Sequence, residues 1–276
     1  MSGYEALGTA GGSAVPRTDV SDASLGHARV ALACLDLTSL GDTDTALQVA
    51  SLVMRSRGGA GAPAALCVWP RFVGQVVGVL ASLHGPASRP KVAAVANFPS
   101  GQEPLGSVLA QVRQILSQGG DEVDLVLDWR AMRSGGAAAV EGAARTVRAV
   151  RQACGTAGLK LIIESGELRE PALIALACRI GLNEGVDFLK TSTGKTATGA
   201  TPEAARLMLE AIAAHPRGAR VGFKASGGVR TVRDAAVYID LVREGLGGAA
   251  LVPARFRIGA SSLLDDVEAV LEAAAR

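Results

Sequence analysis

At 276 residues with a formal net charge of +2, the chain can fold as one large α/β domain or two small ones, and its basic residues are scattered along it. That excludes duplex nucleic-acid binding as its main business, because such binding needs a clustered basic face. Half of the chain (49%) is hydrophobic and 3% is aromatic, so the core is expected to be aliphatic. No apolar run is long enough to span a bilayer, and the opening MSGYEALGTAGGSAVPRTDVSD has neither the basic nor the apolar region of a secretory signal. A soluble, cytoplasmic protein is expected, with no membrane partner. Cys34, Cys67, Cys154 and Cys178 form no C-x-x-C pair, and His27, His84 and His215 stand apart from them, so no metal site is expected and four buried thiols in a reducing compartment are. Cys67, late in an apolar run, is the thiol of most interest.

Residues 1–26, rich in Gly, Ala and Ser, are expected to form a flexible N-terminal extension, with one domain over 27–276. From about residue 28 the chain repeats a short apolar run, a turn and an amphipathic helix. The runs are Val30–Leu35, Ala64–Trp69, Val92–Asn97, Glu122–Leu127, Lys160–Glu164, Val186–Lys190, Val221–Lys224 and Phe256–Gly259. Most are nearly continuous in apolar residues, as parallel strands covered by helices are. Helix starts are marked by Asp42 or Thr43 before Ala46–Ser56, by Glu103-Pro104 before Leu105–Ser117, and by Thr201-Pro202-Glu203 before Ala204–Ala214, where Thr caps and Pro takes the first helical position. Eight β-α units in about 250 residues predict a single (β/α)₈ TIM barrel. The rival, a doubly wound open sheet, usually carries a G-x-G-x-x-G turn after its first strand, and CLDLTSLGDTDT stands there instead.

The stretch FLKTSTGKT, Phe188 to Thr196, ends like a P-loop, which requires a glycine five positions before the Gly of Gly-Lys-Thr. That position is Leu189, inside a predicted strand, so the P-loop reading fails.

In a barrel the C-terminal strand ends build the active site. Those ends carry Asp36, Asn97, Asp124, Glu164, Lys190 and Lys224. Charges inside apolar strands are costly unless paired, and each alone could be a buried ion pair supporting the barrel. Lys190 and Lys224 end neighbouring strands, spaced about 5 Å apart. Two ammonium groups that close oppose each other's protonation, and burial opposes both, so both lysines are expected to titrate low. A lysine so depressed is the amine needed to form a Schiff base with a carbonyl. Asp124 could exchange a proton with it, and the set suits carbon–carbon bond chemistry through an iminium and enamine.

The loops ASGGVR and GASSLLDD follow the seventh and eighth runs, where barrels often bind a substrate phosphate. Gly227 and Gly228 would let backbone N–H groups approach an anion, and Ser261 and Ser262 offer hydroxyls; a tight turn and a helix cap at Ser261 are the structural alternative. Thr193 and Lys195 point into the same region.

Beyond these readings, LDLTSL, NFPSG, DEVDLV, IIESGEL, DFLKTSTGK, TPEAARLM, VGFKASGGVRT and FRIGASSLL, spread from about Leu35 to Leu264, resemble the 2-deoxyribose-5-phosphate aldolases, class I Schiff-base aldolases with a (β/α)₈ fold. The resemblance implies that Lys190 forms the Schiff base, that Lys224 perturbs it and assists proton transfer, and that Asp124 takes part in that transfer. It implies Asp36 near the substrate hydroxyls and phosphate contacts from Gly194, Lys195, Gly227, Gly228, Gly259, Ser261 and Ser262. It implies small phosphosugar and aldehyde substrates and no cofactor or metal, and it leaves room for a homodimer. A Schiff-base barrel aldolase for another phosphosugar and a catalytically silent phosphosugar-binding barrel are the alternatives. Two departures stand out. The chain ends LEAAAR, without the terminal tyrosine of some family members, and LDWRAMRSGG after the fourth run carries an unexpected Asp128 and Trp129.

Overall fold

The computed structural model describes residues 21–59, 61–83 and 89–276. Residues 1–20 of the expected extension and His84 lie outside the described residues. The eight strands are β1 (Leu35–Ser39), β2 (Ala65–Val68), β3 (Lys91–Ala96), β4 (Glu122–Val126), β5 (Gly158–Ile162), β6 (Phe188–Lys190), β7 (Gly222–Ser226) and β8 (Phe256–Ala260). They close in sequence order into a parallel barrel, the predicted TIM barrel, with β1 joined to β8 by the pairs Leu35↔Ile258, Asp36↔Gly259 and Leu37↔Ala260.

Helices α1 (Asp22–Ala33), α2 (Ala46–Arg55), α3 (Val73–Leu83), α4 (Leu105–Ser117), α5 (Trp129–Ser134), α6 (Ala137–Cys154), α7 (Ser165–Leu168), α8 (Pro171–Asn183), α9 (Pro202–Ala214), α10 (Val232–Leu246) and α11 (Leu263–Ala274) surround the strands. The Thr201 hydroxyl accepts from the Ala204 N–H with Pro202 at the first position, as predicted for α9. At α2 the cap is Thr45, in a capping box with Gln48, rather than Asp42 or Thr43.

The first predicted run, Val30–Leu35, is corrected. Its residues up to Ala33 belong to α1, capped by the Ser21 hydroxyl on the Ser24 N–H, and the first strand begins at Leu35. Ala28, Ala31 and Leu32 recur at helical spacing and are buried where α1 packs on α10 and α11. The helix also takes up residues 22–26, which the composition had placed in the extension.

Strands β1 and β4 to β8 each present two chemically different faces, while the buried residues of β2 and β3 are apolar on both. Leu35, Leu37, Leu66, Val123, Leu125, Leu159, Leu161, Leu189, Phe223 and Ile258 are fully buried aliphatic and aromatic residues of the core. The alternate residues Asp36, Glu122, Asp124, Lys160, Lys190, Lys224 and Arg257 are also buried and bond to one another across the barrel, so they point into its interior. The interior is therefore a polar layer inside an apolar wall. Gly222 makes room below it, since a Cβ there would lie 2.2 Å from Cε1 of Phe188, whose ring has the Arg257 guanidinium 5.4 Å from its centre. No helix among the described residues is long and apolar enough to cross a membrane.

Candidate active site

Lys190 is the last residue of β6, and the chain beyond it is fixed by its own hydroxyls. Thr191 and Ser192 donate to the Ser226 carbonyl at 3.1 and 2.8 Å, and the Ser226 N–H returns a bond to the Thr191 hydroxyl at 3.0 Å. These bonds extend the pairing of β6 with β7 past the end of a three-residue strand. Thr193 is then clamped by Glu164, which accepts from its hydroxyl at 2.6 Å and its N–H at 3.2 Å. With Lys190 and Lys224 opposite each other in register, the two amines enter the barrel side by side.

Three carboxylates sort these amines. Asp124 accepts from Lys190 at 2.9 Å and from Lys224 at 2.8 Å on one oxygen, Oδ2, and from Lys160 at 2.8 Å on the other. Asp36 takes Lys224 at 2.5 Å on Oδ2 and Arg257 at 2.5 Å on Oδ1. Glu122 takes Arg257 at 2.9 Å on Oε1 and Lys160 at 2.5 Å on Oε2. Read round, Arg257, Asp36, Lys224, Asp124, Lys160 and Glu122 form a closed ring of alternating charge. Lys190 hangs from it through Asp124 alone.

Burial disfavours every charge here, and the neighbours decide which survive. Burial works against ionisation of Asp36, Glu122 and Asp124, yet their cations outweigh it and hold all three carboxyls below the ordinary range. Burial likewise works against Lys160, Lys224 and Arg257, and their carboxylates raise all three. Only Lys190 goes the other way. Burial lowers it, Asp124 opposes that, and the Lys224 charge lowers it further. The expectation that both lysines titrate low thus holds for Lys190 and is corrected for Lys224, whose two carboxylate partners come from β1 and β4. Burial and the Asp124 charge raise the Cys67 thiol, 3.9 Å from Asp124 Oδ2.

Above the ring opens a cavity of about 430 Å³. It is lined by Thr193, Gly194 and Lys195 after β6, by Gly227 and Gly228 after β7, and by Gly259, Ser261 and Ser262 at the end of β8. Ser226, two residues past Lys224, lines its wall too. Gly227 and Gly228 have φ of +87° and +88°, the left-handed region that glycine enters freely, and a Cβ on Gly227 would lie 3.0 Å from the Gly199 Cα. Ser262, not Ser261, is the N-cap of α11, and its hydroxyl makes no cap bond, so the first N–H groups of that helix remain open. Lys195 reaches Asp42 at 2.8 Å and Arg230 adds a second cation to the lining. The lining thus combines two cations, one carboxylate (Asp44) and left-handed glycines, with the N-terminus of α11 beginning at its edge.

Known proteins bear on this geometry. Residues 30–268 match the DeoC/LacD family aldolases. The chain belongs to that family. It is 42% identical over 245 residues to a deoxyribose-phosphate aldolase of Agrobacterium fabrum, covering 88% of this chain and 91% of that one. Among solved structures, the tetrameric deoxyribose phosphate aldolase of Aeropyrum pernix aligns with a TM-score of 0.70 at 26% identity, covering 92% of this chain and 98% of that one. The apo form of a candidate deoxyribose-phosphate aldolase from Toxoplasma gondii aligns at 0.79 and 25% identity, covering 91% and 97%.

Within this DeoC/LacD barrel, some residues sit differently from the sequence reading. Asp36 is fully buried with both oxygens committed to cations. The Cβ position of Gly259 faces inward as well as lining the cavity, 2.7 Å from the Ser226 hydroxyl and 3.0 Å from Cε of Lys224. Asn97 supports a loop, its side chain accepting from the Glu103 N–H and donating to the Val126 carbonyl. Asp128 caps α5 through the Ala131 N–H, and Trp129 is buried under the Arg130 guanidinium, so both have packing roles. Glu122, Lys160 and Arg257 escaped the sequence reading, which weighed strand ends. Their signal was parity, since Glu122 lies two residues before Asp124 and Arg257 two before Gly259, on the inward face.

Proposed function

We propose that the chain is a class I aldolase that reversibly cleaves 2-deoxy-D-ribose 5-phosphate to D-glyceraldehyde 3-phosphate and acetaldehyde through a Schiff base on Lys190. The observation that carries it is the pairing of one low-titrating buried amine with an anion-binding cavity that begins three residues further along the chain, at Thr193.

The neutral Lys190 amine adds to the C1 aldehyde. Loss of water from the carbinolamine leaves an iminium, for which Asp124 and Lys224 manage the proton through the oxygen they share with Lys190. The iminium draws the electron pair of the C2–C3 bond. That bond breaks as the C3 hydroxyl loses its proton, releasing glyceraldehyde 3-phosphate and leaving the enamine of acetaldehyde. Protonation at C2 and hydrolysis release acetaldehyde and restore the amine. The phosphate is held by Lys195, the Gly227-Gly228 turn and the open N–H groups of α11, which fixes C1 over Lys190.

The test is turnover of 2-deoxyribose 5-phosphate, read as formation of both aldehydes, by the chain and by Lys190→Met. Turnover only of another phosphosugar would point to a different aldolase, and binding without turnover to a silent barrel. The reading extends to a cytoplasmic location, for which four free buried cysteines suit a reducing compartment, and to a homodimer, which light scattering tests.

A further inference from the structure

The charge ring has a consequence for residues that touch neither the amine nor the cavity. Its six members are three cations and three anions, each anion bridging two cations, and all six are buried. A closed ring of that kind is neutral by count. A proton on Lys190 is the one charge it does not balance, and an unbalanced charge is what a buried site tolerates least. We propose that Glu122, Lys160 and Arg257, the half of the ring remote from the reaction, decide whether Lys190 carries a proton by keeping the charge beneath it at zero.

The groups around Lys190 support this. Asp124 from β4 bonds to it, Lys224 faces it from β7 and the Cys67 thiol from β2, while Glu164 after β5 is occupied by Thr193 and Thr196. Asp36 from β1, Lys160 from β5, Arg257 from β8 and Glu122 make no bond to it and act through space, across Asp124 and Lys224. Lys91 on β3, 3.4 Å from Glu122, is the solvent-exposed charge at the far edge. Glu122 accepts from Arg257 on one oxygen and Lys160 on the other, so it fixes both cations at once. These three are positioning residues. Their effect is electrostatic and has a sign.

The inference rests on Lys190 being the reacting amine, and not on which sugar phosphate it takes. Removing an anion with Glu122→Gln leaves the ring one charge positive and repels the Lys190 proton. Removing a cation with Arg257→Gln or Lys160→Met leaves it one charge negative and holds that proton. The acid limb of the kcat/KM profile should therefore move to lower pH in Glu122→Gln and to higher pH in Arg257→Gln and Lys160→Met, by about one pH unit for a unit charge acting across the barrel. The double variant Glu122→Gln/Arg257→Gln should return the limb to its original position. Shifts of the same sign in the anion and cation variants, or no shift in folded variants, would overturn the proposal, since loss of mere structural support has no sign. Should the variants fail to fold, an NMR titration of isotopically labelled lysine amines in the unaltered chain decides. Lys190 losing its proton while Lys160 and Lys224 keep theirs supports the proposal, and Lys160 or Lys224 titrating with or before Lys190 overturns it. The NMR titration needs no substrate, so it also separates failure of this inference from failure of the proposed reaction.

Discussion

Lys190 and Lys224 share a single acceptor, Oδ2 of Asp124, at 2.9 and 2.8 Å, and yet titrate in opposite directions. The difference is the second carboxylate. Lys224 also has Asp36 at 2.5 Å, whereas Lys190 has Asp124 alone against full burial and a neighbouring cation. One amine is kept as an acid and the other is released as a nucleophile.

Lys224→Met should therefore act on Lys190. With the neighbouring cation gone, Lys190 holds its proton more tightly, so the acid limb of kcat/KM should move to higher pH and activity at neutral pH should fall by about a hundredfold or more. Part of the loss should recover as pH rises. Lys224→Arg keeps the charge but cannot give up a proton, so it should keep the original limb with a lowered plateau. An unchanged profile in Lys224→Met would remove this role.

Gly259→Ala tests the packing around the same lysine. The added methyl would stand 2.7 Å from the Ser226 hydroxyl, which must move, and 3.0 Å from Cε of Lys224, which must give by a few tenths of an ångström and carries the amine with it. A displacement approaching 1 Å costs up to about a hundredfold in rate. We expect a fall of at least tenfold in kcat (about 1.4 kcal/mol) with the barrel still folded by circular dichroism. An unaltered kcat would show that the Lys224 position is not critical.

Anion binding above the ring predicts a split between substrates. Lys195→Met and Ser261→Ala should raise KM for the phosphorylated sugar, by about tenfold or more for the lysine, whose charged bond contributes about 1.5–3 kcal/mol. Turnover of the unphosphorylated sugar should change little, and competitive inhibition by inorganic phosphate should weaken. Equal losses on both sugars would show that these residues act on something other than the phosphate.

The barrel was legible because its strands and helices alternate in chain order and its outward strand residues are aliphatic. The first strand was not, for a definite reason. LDLTS carries Asp36 and Thr38 on its inward face, while Val30–Leu35 is continuously apolar, so hydrophobicity favoured a stretch that is helical as far as Ala33. Lys190, Lys224 and Asp124 were legible as costly charges in apolar strands. Asp36 was legible too, but which charges pair, and the part that Glu122, Lys160 and Arg257 take, were not. Asp36 reaches Lys224, and Arg257 reaches Glu122, over 188 and 135 positions of sequence, pairings that only closure of the barrel creates. Lys224 consequently read as a second depressed amine, although its carboxylates make it the reverse.

Borohydride reduction in the presence of acetaldehyde, followed by peptide mapping by mass, identifies the lysine that forms the Schiff base. Reduction of the Schiff base should leave one ethyl group on the peptide carrying Lys190, and Lys190→Met should abolish it. An ethyl group on Lys160, Lys195 or Lys224 in place of Lys190, or no trapped lysine in an active preparation, would contradict the account.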